Sequence, residues 1–250
     1  MSKIFRHLRK QVLIDRQIGK YLAYAFGEII LVVIGILLAF QINNWNEQRK
    51  NSNEELLLLK QLQSDLTFNL EEALDLNERL QINKFGIEGL LNKLHQKEDS
   101  RMISVHLGQA LRQSDFDYAS SGYNLIQNGK AALISTDNVL KSVLDLYESD
   151  LTDIEDRQAE MTKSIDYIQR QFINKYFTKS PNDLSLKFKE LDLVTTELFE
   201  PVNFNTLTEN IEFTNSLLQL GKLVETRLAH LENIESKLQK TIVLIDSQLD

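Results

Sequence analysis

Few residues in this chain have the types and spacing that acid–base, nucleophilic or metal chemistry needs. There is no cysteine, which excludes disulfides, thiolate metal sites and cysteine nucleophiles. None of the histidines follows a glutamate at the three-residue spacing of carboxylate-bridged di-metal sites; they are His7, His95, His106 and His230. Metalloprotease, serine-hydrolase and phosphate-loop motifs do not occur either. We therefore predict a protein that is not an enzyme and that holds no metal and no cofactor.

Two carboxylates, Asp115 and Asp117, flank a phenylalanine in a segment without helical periodicity. Carboxylate oxygens are calcium ligands, but a calcium-binding loop needs oxygens at several more fixed positions and a terminal glutamate. The sequence supplies no such set around this pair. We interpret the segment as a solvated loop.

One carboxylate, Glu28, lies inside a long apolar run, where ionisation costs on the order of 2–3 kcal/mol. At about 100° per residue, Tyr24, Glu28, Gly35 and Ala39 fall within about 60° on one helix face. Small residues let a second helix approach, and the tyrosine and glutamate could donate or accept hydrogen bonds across the contact. We predict a helix–helix interaction stripe. There are two alternatives. Glu28 could be neutral and hydrogen-bonded within its own helix, or it could carry protons.

The apolar run extends from Leu22 to Ile42, 21 residues of which only Glu28 is ionisable. At ~1.5 Å per residue a helix of this length matches the hydrocarbon core of a bilayer. Six basic residues and one acid precede it within the first 20 positions, whereas the whole chain has a net charge of -8. A short basic head on an acidic body fits anionic lipid and does not fit nucleic acid.

These features predict a single transmembrane helix with the N-terminus in the cytoplasm, by the positive-inside rule. A cleaved signal peptide is the alternative, but its apolar region would be about 7–15 residues and would end in a small-x-small site. The run here is longer, and Leu37 stands where a small residue would precede Ala39. We predict three parts: a basic head at 1–20, a transmembrane helix at 21–45 and an extracytoplasmic domain at 46–250.

The stretch from Gly19 to Glu47 resembles the signature of a bacterial single-pass membrane family. It reads GKYLAYAFGEIILVVIGILLAFQINNWNE, and a later stretch, Tyr123-x-Leu125-x3-Gly129-x3-Leu133-Ile134, is also similar. The family is catalogued as a domain of unknown function, number six-zero-nine-zero. The resemblance implies an envelope protein of Gram-negative bacteria, in the inner (cytoplasmic) membrane with its bulk in the periplasm. It implies no activity.

Most of the remaining chain has the apolar periodicity of long helices. Apolar residues recur at alternating spacings of four and three from Leu59 to Leu94 and from Leu140 to Phe172, and at seven-residue intervals from Leu217 to Ile245. Polar Asn77 and Gln158 interrupt these stripes, and we interpret them as register-fixing rather than ligand-binding. The fold class is all-α: one transmembrane helix that continues into a long-helix, antiparallel, coiled-coil-like bundle with an up-down-up path.

Two joints separate the predicted helices. The first includes the irregular segment 114–135, in which Gly129 suits a left-handed position and Thr136 caps the next helix. The second runs from 178 to 205 with both prolines and a short helix near 184–199, before a capping box at Thr206–Glu209 that opens the last helix.

Two functions remain open. The first is an anchored interaction, scaffold or sensing protein without catalysis, whose partner is a membrane or envelope protein or a second copy. Its contact segment would include Tyr118, Tyr123, Leu125 and Gly129. The alternative is an accessory subunit of an ion-driven inner-membrane complex that uses Glu28 in proton movement. We favour the first, because a single span offers no ion pathway alone.

Overall fold

The computed structural model describes residues 17–99, 102–179 and 199–249, and these residues are mostly helical. They divide into two compact units, Met1–Glu55 and Leu56–Asp250. The helices are α1 Gln17–Gln96, α2 Met102–Ala110, α3 Ser121–Leu125, α4 Asp137–Asp145, α5 Leu151–Ile168, α6 Asn174–Tyr176, α7 Phe204–Thr208 and α8 Ile211–Leu249. Two short strands, β1 Phe177–Lys179 and β2 Phe199–Pro201, interrupt them.

Helix α1 runs without a break through 80 residues. The sequence explains its length, since the first proline of the chain is Pro181 and good helix formers fill the region after the apolar run. The predicted continuity between the apolar run and the first long helix is therefore confirmed. Lys97 ends the helix with a positive φ of 52°.

Helices α4, α5 and α6 are joined by two π-helical turns, at Leu146–Asp150 and Gln169–Ile173. A π turn adds one residue to a helical turn and so rotates the side chains that precede it relative to those that follow. Val139 and Val143 are accordingly fully buried before the first π turn, whereas Leu140 and Leu144, the predicted stripe positions, are only half-buried. After that turn the predicted stripe is correct, with Leu151 among its buried residues.

The segment after α1 runs back along α1, which corrects the expected up-down-up path. Three contacts show the direction: Gly89 of α1 lies against His106, Asn83 binds the carbonyl of Gln109, and Asp65 binds Gly122. The residue numbers in α1 fall while those in the following segment rise, so the two run antiparallel. We call residues 102–125 the return segment. Because it already reverses the chain, the helix that begins at Asp137 runs parallel to α1. Asn69 of α1 contacts Tyr147, and further along both helices Arg79 and Gln158 bind the same residue, Asp115.

Helix α8 is antiparallel to both. Side chains pair Asn77 with Glu235 and Lys84 with Glu225 on the α1 side. On the other side Tyr167 donates a hydrogen bond to Glu212 at 2.6 Å. Apolar residues of all three long helices and of the return segment form one hydrophobic core in the second unit. Each fully buried leucine there contributes about 1.5–3 kcal/mol by leaving water.

The helix starts differ in part from expectation. Asn210 caps α8 by accepting a hydrogen bond from the Phe213 backbone N–H at 3.0 Å, so the predicted capping box at Thr206–Glu209 is wrong. Asparagine is a stronger N-cap than threonine, and Asn203 likewise caps the short α7. Thr136 does precede a helix, but its hydroxyl donates to Gln248 of α8 instead of capping.

Strands β1 and β2 pair antiparallel, with Phe177 opposite Pro201 and Lys179 opposite Phe199. This strand pair was not predicted from the sequence, because a three-residue strand contains too little apolar–polar alternation to be recognised. The predicted short helix near 184–199 lies outside the described residues, apart from Phe199, which is in β2.

Candidate functional site

The predicted transmembrane stripe lies on the first part of α1, in the first unit. Glu28, Gly35 and Ala39 are all exposed, and a side chain on Gly27 or Gly35 would meet nothing within 4 Å. Tyr24 is in the same helix, but its side chain is outside the described ones. The backbone therefore places the stripe on one helical face, and no described residue of the protein covers that face.

The surrounding apolar side chains are equally uncovered. Within the described residues, one helix contains an 18-residue window apolar enough to cross a membrane, with a mean hydropathy of 2.4 and none of it buried. The large exposed residues extend from Leu22 to Trp45. An exposed apolar surface of this size is compatible with a membrane anchor.

The second predicted site lies in the second unit, on the return segment and the turns after it. Tyr118 and Tyr123 are half-buried, Leu125 is 38% exposed, and Gly129 is exposed with a φ of 94°. The positive φ confirms that Gly129 occupies a left-handed position, which other residues adopt at a cost. The structure thus places all four residues within one stretch of surface-accessible chain.

The tyrosines of this stretch belong to an aromatic group centred on the buried Tyr147. Tyr123 stacks on Tyr147 with ring centroids 4.6 Å apart and an interplanar angle of 3°, and Tyr118 meets the same ring edge-on at 6.1 Å. Burial raises the pKa of Tyr147, and the nearby charge of Asp65 acts in the same direction. Tyr123 donates to Glu148 at 3.3 Å. This group holds two of the predicted contact residues in fixed positions.

Polar side chains of α1 bind the backbone of the return segment. Asn69 accepts from the Ala119 N–H at 2.6 Å and donates to the Ala119 carbonyl at 2.9 Å. The Tyr147 hydroxyl also donates to that carbonyl, at 2.8 Å. One buried asparagine therefore satisfies both backbone groups of a residue that has no strand or helix partner.

The same arrangement recurs on either side of Ala119. Asn83 donates to the carbonyls of Gln109 and Arg112 at 2.9 and 2.8 Å and accepts from the Ser114 hydroxyl at 2.9 Å. Asp65, also buried, accepts from the Gly122 N–H at 2.6 Å. The return segment, whose residues 112–120 have no regular secondary structure, is thereby held in place by side chains that are themselves inaccessible to a ligand.

A buried cation lies beneath the segment. Arg227 of α8 is 1% exposed and donates to the Ser114 carbonyl at 2.8 Å and to Gln158 at 3.1 Å. Burial lowers the pKa of Arg227 to about 10, against the opposing charge of Asp115, so the guanidinium stays protonated at neutral pH. Removal of water from a charge is costly, and these hydrogen bonds offset part of that cost.

Gln158 connects this arginine to the predicted loop carboxylate. Its carbonyl oxygen accepts from the Phe116 N–H at 2.9 Å, and its amide donates to Asp115 at 3.1 Å. Among the described residues, no three or more His, Asp or Glu side chains are grouped as a metal site would require. The hydrogen bonds of Gln158 thus connect α5 to the return segment at Asp115 and Phe116.

The structure brings Tyr118 and Tyr123 together but keeps them in a different unit from Glu28, Gly35 and Ala39. The residues that hold the return segment in place were not predicted from the sequence. A signal was present, because a second stripe on α1 repeats every seven residues and alternates leucine with asparagine: Leu62, Asn69, Leu76, Asn83 and Leu90, all fully buried. Arg227 lies likewise midway between the buried Leu220 and Ile234.

Comparison with known proteins gives one match. Residues 28–148 match the model of a family of unknown function, DUF6090, which confirms the family resemblance over slightly less than half of the chain. Neither the curated proteins nor the solved structures contain a match. The matched range includes Glu28, Gly35, Asp65, Asn69, Asn83 and the whole return segment, and ends one residue after Tyr147.

Proposed function

We propose that this chain, whose residues 28–148 carry the DUF6090 match, is a membrane-anchored interaction protein without catalytic activity. In this proposal α1 crosses the inner membrane of a Gram-negative bacterium once, the basic head stays in the cytoplasm, and the second unit is a periplasmic helical bundle. The observation that carries the proposal is the apolar first part of α1, which no described part of the protein buries. A core helix of a soluble protein would be covered.

The side chains of the second unit support a binding role rather than a chemical one. Its buried Asn83 and Arg227 side chains donate hydrogen bonds to the return-segment backbone. The most irregular exposed chain is the stretch that carries Tyr118, Tyr123, Leu125 and Gly129, and it is fixed at its base by Tyr147. Rigidly held aromatic residues lose little entropy on binding, and this favours the stretch as the partner-contact surface.

Site-specific photocrosslinking tests that surface. A benzophenone side chain in place of Leu125 should crosslink one envelope protein in growing cells. The same group in place of the exposed Val243 of α8 should not, because it lies outside the proposed contact surface. The captured protein should also co-purify with the unmodified chain in mild detergent and be lost from Tyr123→Ser. Equal capture from both positions, or no capture from Leu125, would contradict the proposed contact surface.

The Glu28 stripe yields a separate prediction about association within the membrane. Gly35→Leu should abolish association, because a bulky side chain keeps two helix backbones apart. Glu28→Gln should preserve it, and Glu28→Leu should weaken it by about 1 kcal/mol, the size of a polar contact between helices in a bilayer. The matched control is Gly27→Leu, which adds the same bulk about 100° away around the helix. Energy transfer between labelled chains in nanodiscs measures the association.

The outcomes distinguish the two functions. If Glu28→Gln abolishes the cellular phenotype as completely as Glu28→Leu while the complex stays assembled, the alternative holds, and Glu28 moves protons in a larger ion-driven complex. If Gly35→Leu and Gly27→Leu behave alike, the stripe is not a helix contact.

A further inference from the structure

Helix α2 docks on α1 at two glycines one turn apart. A Cβ atom at Gly86 would come within 2.5 Å of the Ala110 backbone nitrogen and 2.7 Å of the His106 carbonyl oxygen. A Cβ at Gly89 would overlap the His106 ring, with Nε2 at 2.6 Å. The two glycines therefore form a notch that accepts the α2 backbone at one end and an imidazole ring at the other.

The environment of that imidazole suits its neutral form. His106 is 6% exposed, and its ring meets Phe85 of α1 edge-on with centroids 5.4 Å apart. Its Nδ1 and the neighbouring Oε1 of Gln109 are both buried without a hydrogen-bond partner among the described residues. No carboxylate lies within ion-pair distance of the ring in the described part of the protein.

Two elements bring charge near α2. On α1, Lys93 lies close enough to act on the ring and is itself paired with Glu98 at 2.7 Å. Strand β2 also packs against α2, and its one ionisable residue, Glu200, is exposed. His106 is the only ionisable residue of α2 itself. A proton on His106 would therefore add a positive charge to a buried site beside a lysine.

We propose that His106 is an acid-sensitive latch: its protonation releases α2 from the Gly86–Gly89 notch of α1. The latch concerns the second unit alone and does not depend on the proposed membrane function. Asn83 holds the Gln109 and Arg112 carbonyls, so release of α2 loosens the start of the return segment. Acid would thereby change the part of the chain that leads to Tyr118 and Tyr123.

The direction of the pH effect on α2 docking follows from the surroundings of His106. Burial lowers the pKa of docked His106; a hydrogen bond that the protonated ring could donate to Gln109 opposes this shift, and the charge of Lys93 adds to it. The released ring regains an ordinary pKa of about 6.5. Above that pH neither form binds the proton, and docking is at full strength. As the pH falls below it, the released form is favoured by up to about tenfold per pH unit, until the docked ring also titrates.

Hydrogen exchange of the full-length protein in nanodiscs, read by mass spectrometry of peptides that cover α2, measures the latch. After correction for intrinsic exchange rates, α2 should lose about tenfold in protection between pH 7.5 and pH 5.5. His106→Phe keeps an aromatic ring edge-on to Phe85 but removes the proton site, so its α2 protection should not depend on pH. The matched control, His95→Gln, changes an exposed histidine and should respond to acid as the wild type does.

Two results would overturn the latch. The first is α2 protection in the wild type that stays constant or rises in acid, as it would if Glu200 stabilised a protonated ring. The second needs no variant: ¹³Cε1-histidine spectra of the wild type should show His106 titrating below the ordinary histidine pKa of about 6.5. A His106 ring that titrates at or above that pH while α2 stays protected excludes the proposal.

Discussion

Leu231→Asp should unfold the second unit. Leu231 is 0% exposed at the centre of α8, and an aspartate there would leave a cavity and a carboxylate without water or a partner. We expect a loss of more than about 4 kcal/mol, a large part of the 5–15 kcal/mol that stabilises a typical domain. Thermal unfolding of the full-length protein in mild detergent, followed by circular dichroism at 222 nm, measures the loss.

The same helix offers a matched control. Val243 is 65% exposed, and Val243→Asp introduces the same carboxylate on the solvent side of α8. It should change stability by no more than about 0.5 kcal/mol. If the two variants unfold together, α8 is not packed through the face that contains Leu231, and the packing of the three long helices is wrong.

Asn69→Ala should destabilise the protein by about 2–4 kcal/mol and free the middle of the return segment. Its side chain satisfies both backbone groups of Ala119, and each buried group left without a partner costs about 1–3 kcal/mol. In this variant the Tyr147 hydroxyl still donates to the Ala119 carbonyl, so the Ala119 N–H is the group left without its hydrogen bond. Urea unfolding gives the stability, and hydrogen exchange of peptides that cover residues 115–122 gives the local effect.

Asn77→Ala is the control for that variant. Asn77 lies two turns further along α1, is half-buried, and donates one hydrogen bond to Glu235 at the rim of the contact with α8. Its loss should cost less than about 1 kcal/mol and leave exchange at 115–122 unchanged. Equal exchange in the two variants would show that Asn69 does not hold the return segment.

The sequence was sufficient to predict the helices whose apolar spacing is regular. The stripes of α1 and α8 and the unbroken passage of α1 from the apolar run follow from local periodicity and the late first proline. These features depend on residues a few positions apart, which a single sequence displays. The structure adds to α1 the second buried stripe, from Leu62 to Leu90.

The path of the chain was not predictable in the same way. The return segment contains an irregular stretch, residues 112–120, whose backbone is bound by Asn69 and Asn83 of α1 rather than by a periodic element of its own. Interpreted as a joint, it predicted a second helix antiparallel to α1, whereas its reversal makes that helix parallel. The one-residue shift at Val139 and Val143 comes from a π turn, which local propensity does not reveal.

The candidate sites could be predicted from the sequence only in part. Tyr118, Tyr123, Leu125 and Gly129 stood out because the segment around them is irregular, and the structure places them at accessible positions. The residues that support this segment were not predicted. An asparagine or an arginine within a leucine stripe is interpreted as fixing the helix register unless the distant residue that it binds is known. The family match begins at Glu28 and ends beside Tyr147, so the α1 side chains that bind the return segment lie within it, whereas Arg227 lies outside.

Labelling of single cysteines tests the proposed membrane orientation most directly. The chain has no native cysteine, so Ser2→Cys in the basic head and Ala159→Cys on the exposed face of α5 each give one reactive thiol. In cells with a permeabilised outer membrane, a membrane-impermeant maleimide should label Ala159→Cys at once and Ser2→Cys only after lysis. Labelling of Ser2→Cys alone, protection of both thiols until lysis, or a mature chain that has lost residue 2 by cleavage would contradict the proposed anchor and its orientation.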